Sequence, residues 1–405
     1  MKIFPQRFDW VLFFSFLTLV VLGIISIYTA SAVKFGPEFI FKSYYIKQII
    51  WFSIAMVIFF FILHIPKHIF DIFIYPAFFL NIILLIIVLF TPEVNGSHRW
   101  IRLGGFHFQP SEVAKITTIL MIAKVISKDI SEYKILLYGI GLTLIPVVLI
   151  IIEPDMGTSL VFFFVLFFIL TMANIPKYFL VLLIAPFISM VSSAFFPAFI
   201  VFIVFFILIL IRFRLSWFSV TLNTILNTFI FFITPVFWNN MHEYQRNRIL
   251  TFLDPTRDPF GAGYQVIQSK IAIGSGGLNG KGFLLGTQKN LNFLPEHHTD
   301  FIFSVIGEEL GFIGCSVLLF FFFLFLTQMI RGLNRIPSFE KRLTIIGIFA
   351  YFLFQIFINI GMNIGVAPTT GIPLPFISYG GSNLIINVAA VAIVLKYRTE
   401  IKKWE

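Results

Sequence analysis

From Trp10 to Ser31 the chain carries no Asp, Glu, Lys, Arg or His, and the segment reads WVLFFSFLTLVVLGIISIYTAS. An α-helix rises 1.5 Å per residue, so about 20 residues of this kind cross the hydrocarbon core of a bilayer. Comparable runs fall near 9–31, 46–64, 69–90, 111–127, 135–152, 157–173, 178–194, 196–211, 216–237, 301–329, 343–366 and 376–396. Backbone groups in lipid must find partners within their own segment, so these runs are expected as helices, and no alternating ten-residue pattern argues for a barrel. The expected fold class is an all-α polytopic membrane protein of about 12 transmembrane helices, one integral-membrane domain over 1–405. With 59% of residues hydrophobic and 12% charged, an ordinary soluble domain is excluded.

Lys and Arg set the orientation of such a chain. With the N-terminus inside, the cytoplasmic segments hold Lys2, Arg7, Lys67, Lys128, Lys134, Lys177, Arg212 and Arg214. Further along they hold Arg331, Arg335, Lys341, Arg342, Arg398, Lys402 and Lys403. The short turns at 153–156, 194–196 and 367–375 hold neither residue. Both termini are therefore expected in the cytoplasm. The net charge of +10 is spread over loops and forms no stripe, so it sets orientation and does not mark a nucleic-acid partner. The single cysteine, Cys315, lies in an apolar run, which excludes disulfides and thiolate metal sites. The 56 phenylalanines are read as lipid-facing filler, and the N-terminal run as a retained first helix.

Two stretches on the outer side carry the polar residues: a loop over 91–110 and a large one over 238–300. Ionisable groups inside spans are costly and mark function. In QPSEVAKI, Glu112 and Lys115 share a helix face, either as a packing ion pair or as the wall of a polar cavity. In IIIEPDMGTSL, Asp155 stands where a helix starts, as a cap that can also present a carboxylate. In the large loop, Arg246 and Arg248 follow a membrane exit. GSGGLNGKG encloses Lys281 and precedes Lys289, a composition suited to phosphate oxygens but without nucleotide-loop spacing. LPEHHTDFIF places His298 and Asp300 at the mouth of a span, with Thr299 as the expected helix cap. Partial desolvation there makes a carboxylate a better base. Glu308 and Glu309 lie roughly 12 to 14 Å deeper and are read as packing residues. The adjacent His297 and His298 diverge, so no zinc site is expected.

Five stretches in order, HRWIRLGGFHFQPSEVAKI, EPDMGTS, FLDPTRDPFGAGYQVIQSKIAIGSGGLNGKG, LPEHHTDFIFSVIGEELG and TTGIPLPFISYGGSN, resemble the SEDS family (shape, elongation, division and sporulation) of integral-membrane peptidoglycan polymerases. The large loop and Thr370 are more similar to its RodA-like, elongation branch than to its division branch. The resemblance implies a SEDS-type (GT-C-like) bundle in the bacterial cytoplasmic membrane, its active site facing outside. It implies that lipid II is polymerised into β-1,4 glycan, with inversion and release of undecaprenyl pyrophosphate. Asp300 matches the family's essential aspartate, the expected base. Arg246, Arg248, Lys281 and Lys289 are the candidates for the leaving pyrophosphate, with Trp100 and Arg102 at the cavity rim and Glu112 and Lys115 near the reaction centre. A divalent cation (Mg or Mn) is compatible with this chemistry, although no acidic cluster declares one. The expected partners are a class B penicillin-binding protein, since this chain has no SxxK or KTG element for crosslinking, and other membrane proteins of the elongation complex. Family members usually carry ten spans, so a helical hairpin is expected as an insertion within 174–237. Lipid II transport and a division-type polymerase are the alternatives.

Overall fold

The computed structural model describes residues 8–35, 38–41, 43–92, 99–103, 106–173, 175–241, 243–258, 263–287 and 298–400. Each expected span contains a helix, although the last, expected from 376, becomes helical only at Gly381. In chain order these are α1 (Trp10–Ser31), α2 (Tyr44–His64), α3 (Lys67–Val88), α4 (Pro110–Ile126), α5 (Glu132–Ile152) and α6 (Met156–Met172). They continue as α7 (Tyr178–Ser192), α8 (Phe196–Arg212) and α9 (Trp217–Asn240), then α10 (Glu243–Leu253) and α11 (Tyr264–Gly276) in the large loop. The last three are α12 (Ile302–Ile330), α13 (Phe339–Ile364) and α14 (Gly381–Arg398). Among the described residues, seven helices are long and apolar enough to cross a membrane, and α6, α7 and α8 are shorter apolar helices. The chain is a multi-pass membrane protein.

Two short antiparallel hairpins add to the all-α reading. β1 (Ala32–Phe35) pairs with β2 (Glu38–Phe41), and β3 (Ile101–Leu103) pairs with β4 (Phe106–Phe108). The second lies where the sequence predicts a loop. Its strands read I-R-L and F-H-F, an alternation that suits a two-sided ribbon.

The main core is built from α1, α2, α4, α6, α12, α13 and α14. At its centre Phe376, from the segment between α13 and α14, packs against Phe16 (5.3 Å between ring centroids), Phe325 (5.4 Å) and Phe352 (5.3 Å). These rings are under 2% exposed. The phenylalanines therefore form two populations, because Phe90, Phe232 and Phe323 are more than 60% exposed and face the lipid as expected. The non-helical stretch around Phe376 buries Ile372, Leu374 and Ile377, which is how irregular backbone is tolerated at membrane depth. α7, α8 and α9 pack on one another round a separate small core of Ala185, Phe206, Leu210 and Val220.

The run expected as one span over 301–329 is divided. Gly311 adopts φ 65°, ψ −161°, so α12 is two helical pieces meeting at a sharp break. The break frees backbone groups that a helix would have paired. The glycine-rich loop satisfies them: the Lys281 and Gly282 amides donate to the Glu308 and Glu309 carbonyls, and the Phe312 and Ile313 amides donate to the Gly277 and Leu278 carbonyls. This close backbone approach requires glycine, since a Cβ at Gly276 would stand 2.0 Å from the Gly307 carbonyl oxygen. The amides read from the sequence as a phosphate cradle are thus committed, at residues 280–282, to protein carbonyls.

Candidate active site

Asp300 lies two residues before α12 and is half-buried. Its carbonyl accepts hydrogen bonds from the side-chain amides of Asn359 (2.9 Å) and Asn363 (3.1 Å) of α13. Asn359 also donates to the Ile372 carbonyl (2.8 Å). Ser378 donates to the Thr299 carbonyl (2.6 Å), and the Tyr379 amide donates to the His298 carbonyl (2.9 Å). Residues 298–300 are in this way stapled to the segment 372–379 by backbone carbonyls, leaving the Asp300 carboxylate to face Gly371. A Cβ on Gly371 would lie 3.4 Å from Asp300 Oδ2. Phe301, and not the expected Thr299, occupies the cap position of α12. The His298 ring stacks on Tyr44, with centroids 4.3 Å apart and planes 13° apart, and is 5.9 Å from the Tyr379 ring.

Glu112 and Lys115 lie in the first two turns of α4, both under 5% exposed. Lys115 Nζ is 2.7 Å from Glu112 Oε1, and Asn383 donates to Glu112 Oε2 (2.9 Å). Asn387 donates to Asn383 (2.8 Å), and the Tyr351 hydroxyl donates to Asn387 (2.6 Å). The Lys115 ammonium also lies 5.2 Å from the Tyr351 ring centroid. A buried pair with this many partners meets the condition under which burial of charge is tolerated. The hairpin covers this cluster: Ser382, beside Asn383, donates to the His107 carbonyl (2.9 Å), and Trp100 packs 6.1 Å from the His107 ring. Arg102 lies on β3 opposite His107.

Asp155 caps α6, accepting from the Thr158 amide (3.1 Å) and hydroxyl (2.9 Å), as the sequence predicts. A Cβ on the neighbouring Gly157 would stand 2.7 Å from the Thr370 carbonyl oxygen, so α6 begins against the turn whose next residue, Gly371, faces Asp300. Sequence reasoning missed Arg99, next to Trp100. Its guanidinium donates to the Glu153 and Pro154 carbonyls and lies 3.9 Å from the Asp155 carboxylate. Glu153 is fully buried and both its carboxylate oxygens lack a hydrogen-bond partner. Burial first, and the Asp155 charge second, push its carboxyl up to about 8 against the pull of Arg99.

Lys281 is turned to Glu308: Nζ is 2.7 Å from the buried Oε1 and 2.8 Å from the Thr287 hydroxyl. The Thr287 amide and hydroxyl each donate to the same carboxylate oxygen at 2.8 Å. Glu308 holds the loop against the broken helix, in keeping with its reading as a packing residue. Arg246 and Arg248 ride on α10, half-buried and exposed respectively. Lys289 and His297 lie outside the described residues. The structure thus brings Asp300, His298, Asp155 and the Glu112–Lys115 pair to one end of the bundle, and gives Lys281 a protein carboxylate as its partner. Besides Arg99, the sequence reading missed Asn359 and Asn363. Their signal was present, because Tyr351, Gln355, Asn359 and Asn363 recur every fourth residue within an otherwise apolar run.

A helical membrane protein that gathers a half-buried carboxylate and a buried ion pair under a hairpin has the polar cluster that marks a functional site in such a bundle. Its relatives narrow the class. The family model described as "Cell cycle protein", built on FtsW, RodA and SpoVE, matches residues 9–198 and 196–403, and this chain belongs to that family, the SEDS polymerases. The peptidoglycan glycosyltransferase MrdB of Escherichia coli (strain K12) is 38% identical over 332 residues, covering 81% of this chain and 78% of that protein. The peptidoglycan glycosyltransferase RodA of Treponema pallidum is 30% identical, over 96% of each chain. Among solved structures, a peptidoglycan synthase complex described as coordinating polymerization and crosslinking contains a chain 28% identical, with TM-score 0.72, over 97% of this chain and 98% of that one. The rod shape determining protein RodA of Thermus thermophilus superposes with TM-score 0.64 at 25% identity, over 98% and 99%.

Proposed function

We propose that this chain is an inverting peptidoglycan glycosyltransferase of the RodA type, which polymerises lipid II at the outer face of the bacterial cytoplasmic membrane. The reading is carried by the placement of Asp300. Its backbone is clamped between α13 and the 372–379 segment, while its carboxylate faces the Gly371 turn. Asp300 accepts the proton of the acceptor hydroxyl as that oxygen attacks the anomeric carbon of the donor sugar. The bond from that carbon to the pyrophosphate breaks, and the electron pair leaves with undecaprenyl pyrophosphate. Without a covalent intermediate the anomeric centre inverts.

The leaving group gathers negative charge and needs cations near it. Arg246, Arg248 and Lys289 take this role, with Trp100, Arg102 and His298 lining the approach and Asp155 facing the same turn from α6. Lys281 joins them only by exchanging Glu308 for the pyrophosphate. Glu112 and Lys115 support the hairpin and the start of α14 from beneath. Among the described residues no three His, Cys, Asp or Glu side chains converge as metal ligands. A magnesium or manganese ion is compatible with this chemistry; it would enter with the substrate phosphates and would neutralise pyrophosphate charge. The positive-inside rule supports the outward orientation, since the short turns at 153–156, 194–196 and 367–375 hold no Lys or Arg. A class B penicillin-binding protein is the proposed partner, on the strength of the synthase complex described above, together with other elongation-complex proteins. An inserted helical hairpin is proposed within 174–237, where α7, α8 and α9 pack round a small core of their own.

MrdB of Escherichia coli and RodA of Treponema pallidum are both named glycosyltransferases, which sets this reading above lipid II transport. The test is polymerisation of purified lipid II by the chain with its penicillin-binding partner. Native protein should yield glycan and folded Asp300→Asn none, whereas equal product from both would remove Asp300 as the base.

A further inference from the structure

One polar side chain bridges the two segments that face each other at the site. Asn359 Nδ2 donates to the Asp300 carbonyl at 2.9 Å and to the Ile372 carbonyl at 2.8 Å. Both its protons are used, and the residue is fully buried. It thereby joins the residue that carries the carboxylate to the turn, Thr370–Ile372, that the carboxylate faces. A second asparagine, one turn along α13, reinforces it. Asn363 donates to the same Asp300 carbonyl (3.1 Å), and its own Oδ1 accepts from the Ser304 amide (3.2 Å) at the start of α12. Its backbone carbonyl accepts from Ser269 of α11 (2.7 Å). The flanking residues Ile358, Ile360 and Met362 are apolar, and a buried amide left unpaired among such neighbours would be destabilising. The two amides are therefore kept for what they hold.

We propose that Asn359 is a positioning residue of the glycosyl transfer, its amide fixing the Asp300 backbone against the Thr370–Ile372 turn, with Asn363 as its second support. This rests on the reading of Asp300 as the base. A side-chain carboxylate has two rotatable bonds beyond its Cα, so the placement of its backbone decides whether it meets the acceptor hydroxyl. A displacement of about 1 Å is enough to slow such a step about 100-fold.

The experiment uses the full chain with its partner and measures lipid II polymerisation for native protein, Asn359→Asp, Asn359→Ala and Asp300→Asn across pH. The Asp substitution keeps the shape and the acceptor oxygen but loses both donated protons until its carboxyl is protonated at lower pH. The expected result is a roughly 100-fold lower kcat for Asn359→Asp at pH 8, with KM within about threefold of native. Its rate relative to native should rise about tenfold as pH falls, because the introduced O–H restores one hydrogen bond, while the relative rate of Asn359→Ala stays flat. A flat ratio for Asn359→Asp, or a change confined to KM, overturns the inference. Asn363→Asp keeps its accepting oxygen for Ser304 and provides the same pH readout should Asn359→Asp fail to fold. Full activity of Asp300→Asn would overturn the base assignment and this inference with it, whereas an inactive Asp300→Asn beside a flat ratio overturns the positioning role alone.

Discussion

Lys115 and Glu112 lie one turn apart on α4 with nitrogen and oxygen 2.7 Å from each other, and both are buried. Removing one partner of such a pair strands the other charge. Lys115→Met is expected to destabilise the protein by about 3–5 kcal/mol, and the double replacement Glu112→Gln with Lys115→Met to recover most of that loss. Thermal denaturation in detergent checks both. Equal stability of the single and double variants would mean that the two charges are not coupled in the folded protein.

The Lys281–Glu308 contact separates two roles for one lysine. If Lys281 serves mainly to hold the loop, Lys281→Met takes a charged donor from Glu308, leaves it to its Thr287 donors, and lowers stability by about 1–3 kcal/mol. Polymerisation per folded molecule would then be little changed. A slower reaction at unchanged melting temperature would instead place its ammonium on the pyrophosphate.

Glu153 gives a pH dependence whose sign can be worked out. Its carboxyl is pushed up to about 8 in the folded protein from 4.5, so the folded state binds more protons between those values. Stability from this group is therefore greatest below pH 4.5 and is lost progressively up to about pH 8. Glu153→Gln removes the group, and its melting temperature should exceed that of the native protein by a margin that grows from about pH 6 to about pH 8. A constant margin would show that Glu153 does not titrate there.

Gly276 and Gly311 are expected to tolerate no side chain. Gly276→Ala would push a methyl group to 2.0 Å from the Gly307 carbonyl oxygen, and Gly311→Ala would combine φ 65° with a contact 2.3 Å from the Gly280 nitrogen. Backbone on both sides cannot yield, so both variants should lose yield of monodisperse protein in size-exclusion chromatography. Gly141→Ala, with open space around its Cβ, serves as the control.

The helices of the apolar runs were legible because lipid leaves backbone few choices and apolar length alone marks a helix. The break at Gly311 was not, since ELGFIG continues the apolar pattern and the groups that make the break tolerable sit about 30 residues earlier in GSGGLNGKG. The β3–β4 hairpin was legible in principle: Gly104-Gly105 between two alternating triplets is a hairpin signal, easily passed over where a short outer loop is expected. Asp300, Glu112, Lys115 and Asp155 stood out as charges next to apolar runs. Arg99 did not, because its partners are mostly the carbonyls of a distant turn, and carbonyls leave no trace in composition. Asn359 and Asn363 left a trace in their four-residue spacing with Tyr351 and Gln355, but the carbonyls they hold did not.

The burial of Phe376 among Phe16, Phe325 and Phe352 has a consequence for how this sequence can change over generations. The turn bearing Gly371 is rooted in rings that no lipid touches, so its position does not depend on which apolar residue coats the outside. A genome whose base composition drifts can rewrite the outer coat at Phe90, Phe232 or Phe323 with leucine or isoleucine at little loss. The same exchange at Phe376 would loosen the turn opposite Asp300. Mutational tolerance in this protein should therefore divide its phenylalanines by depth, with the Gly371 turn insulated from compositional drift by the inner set.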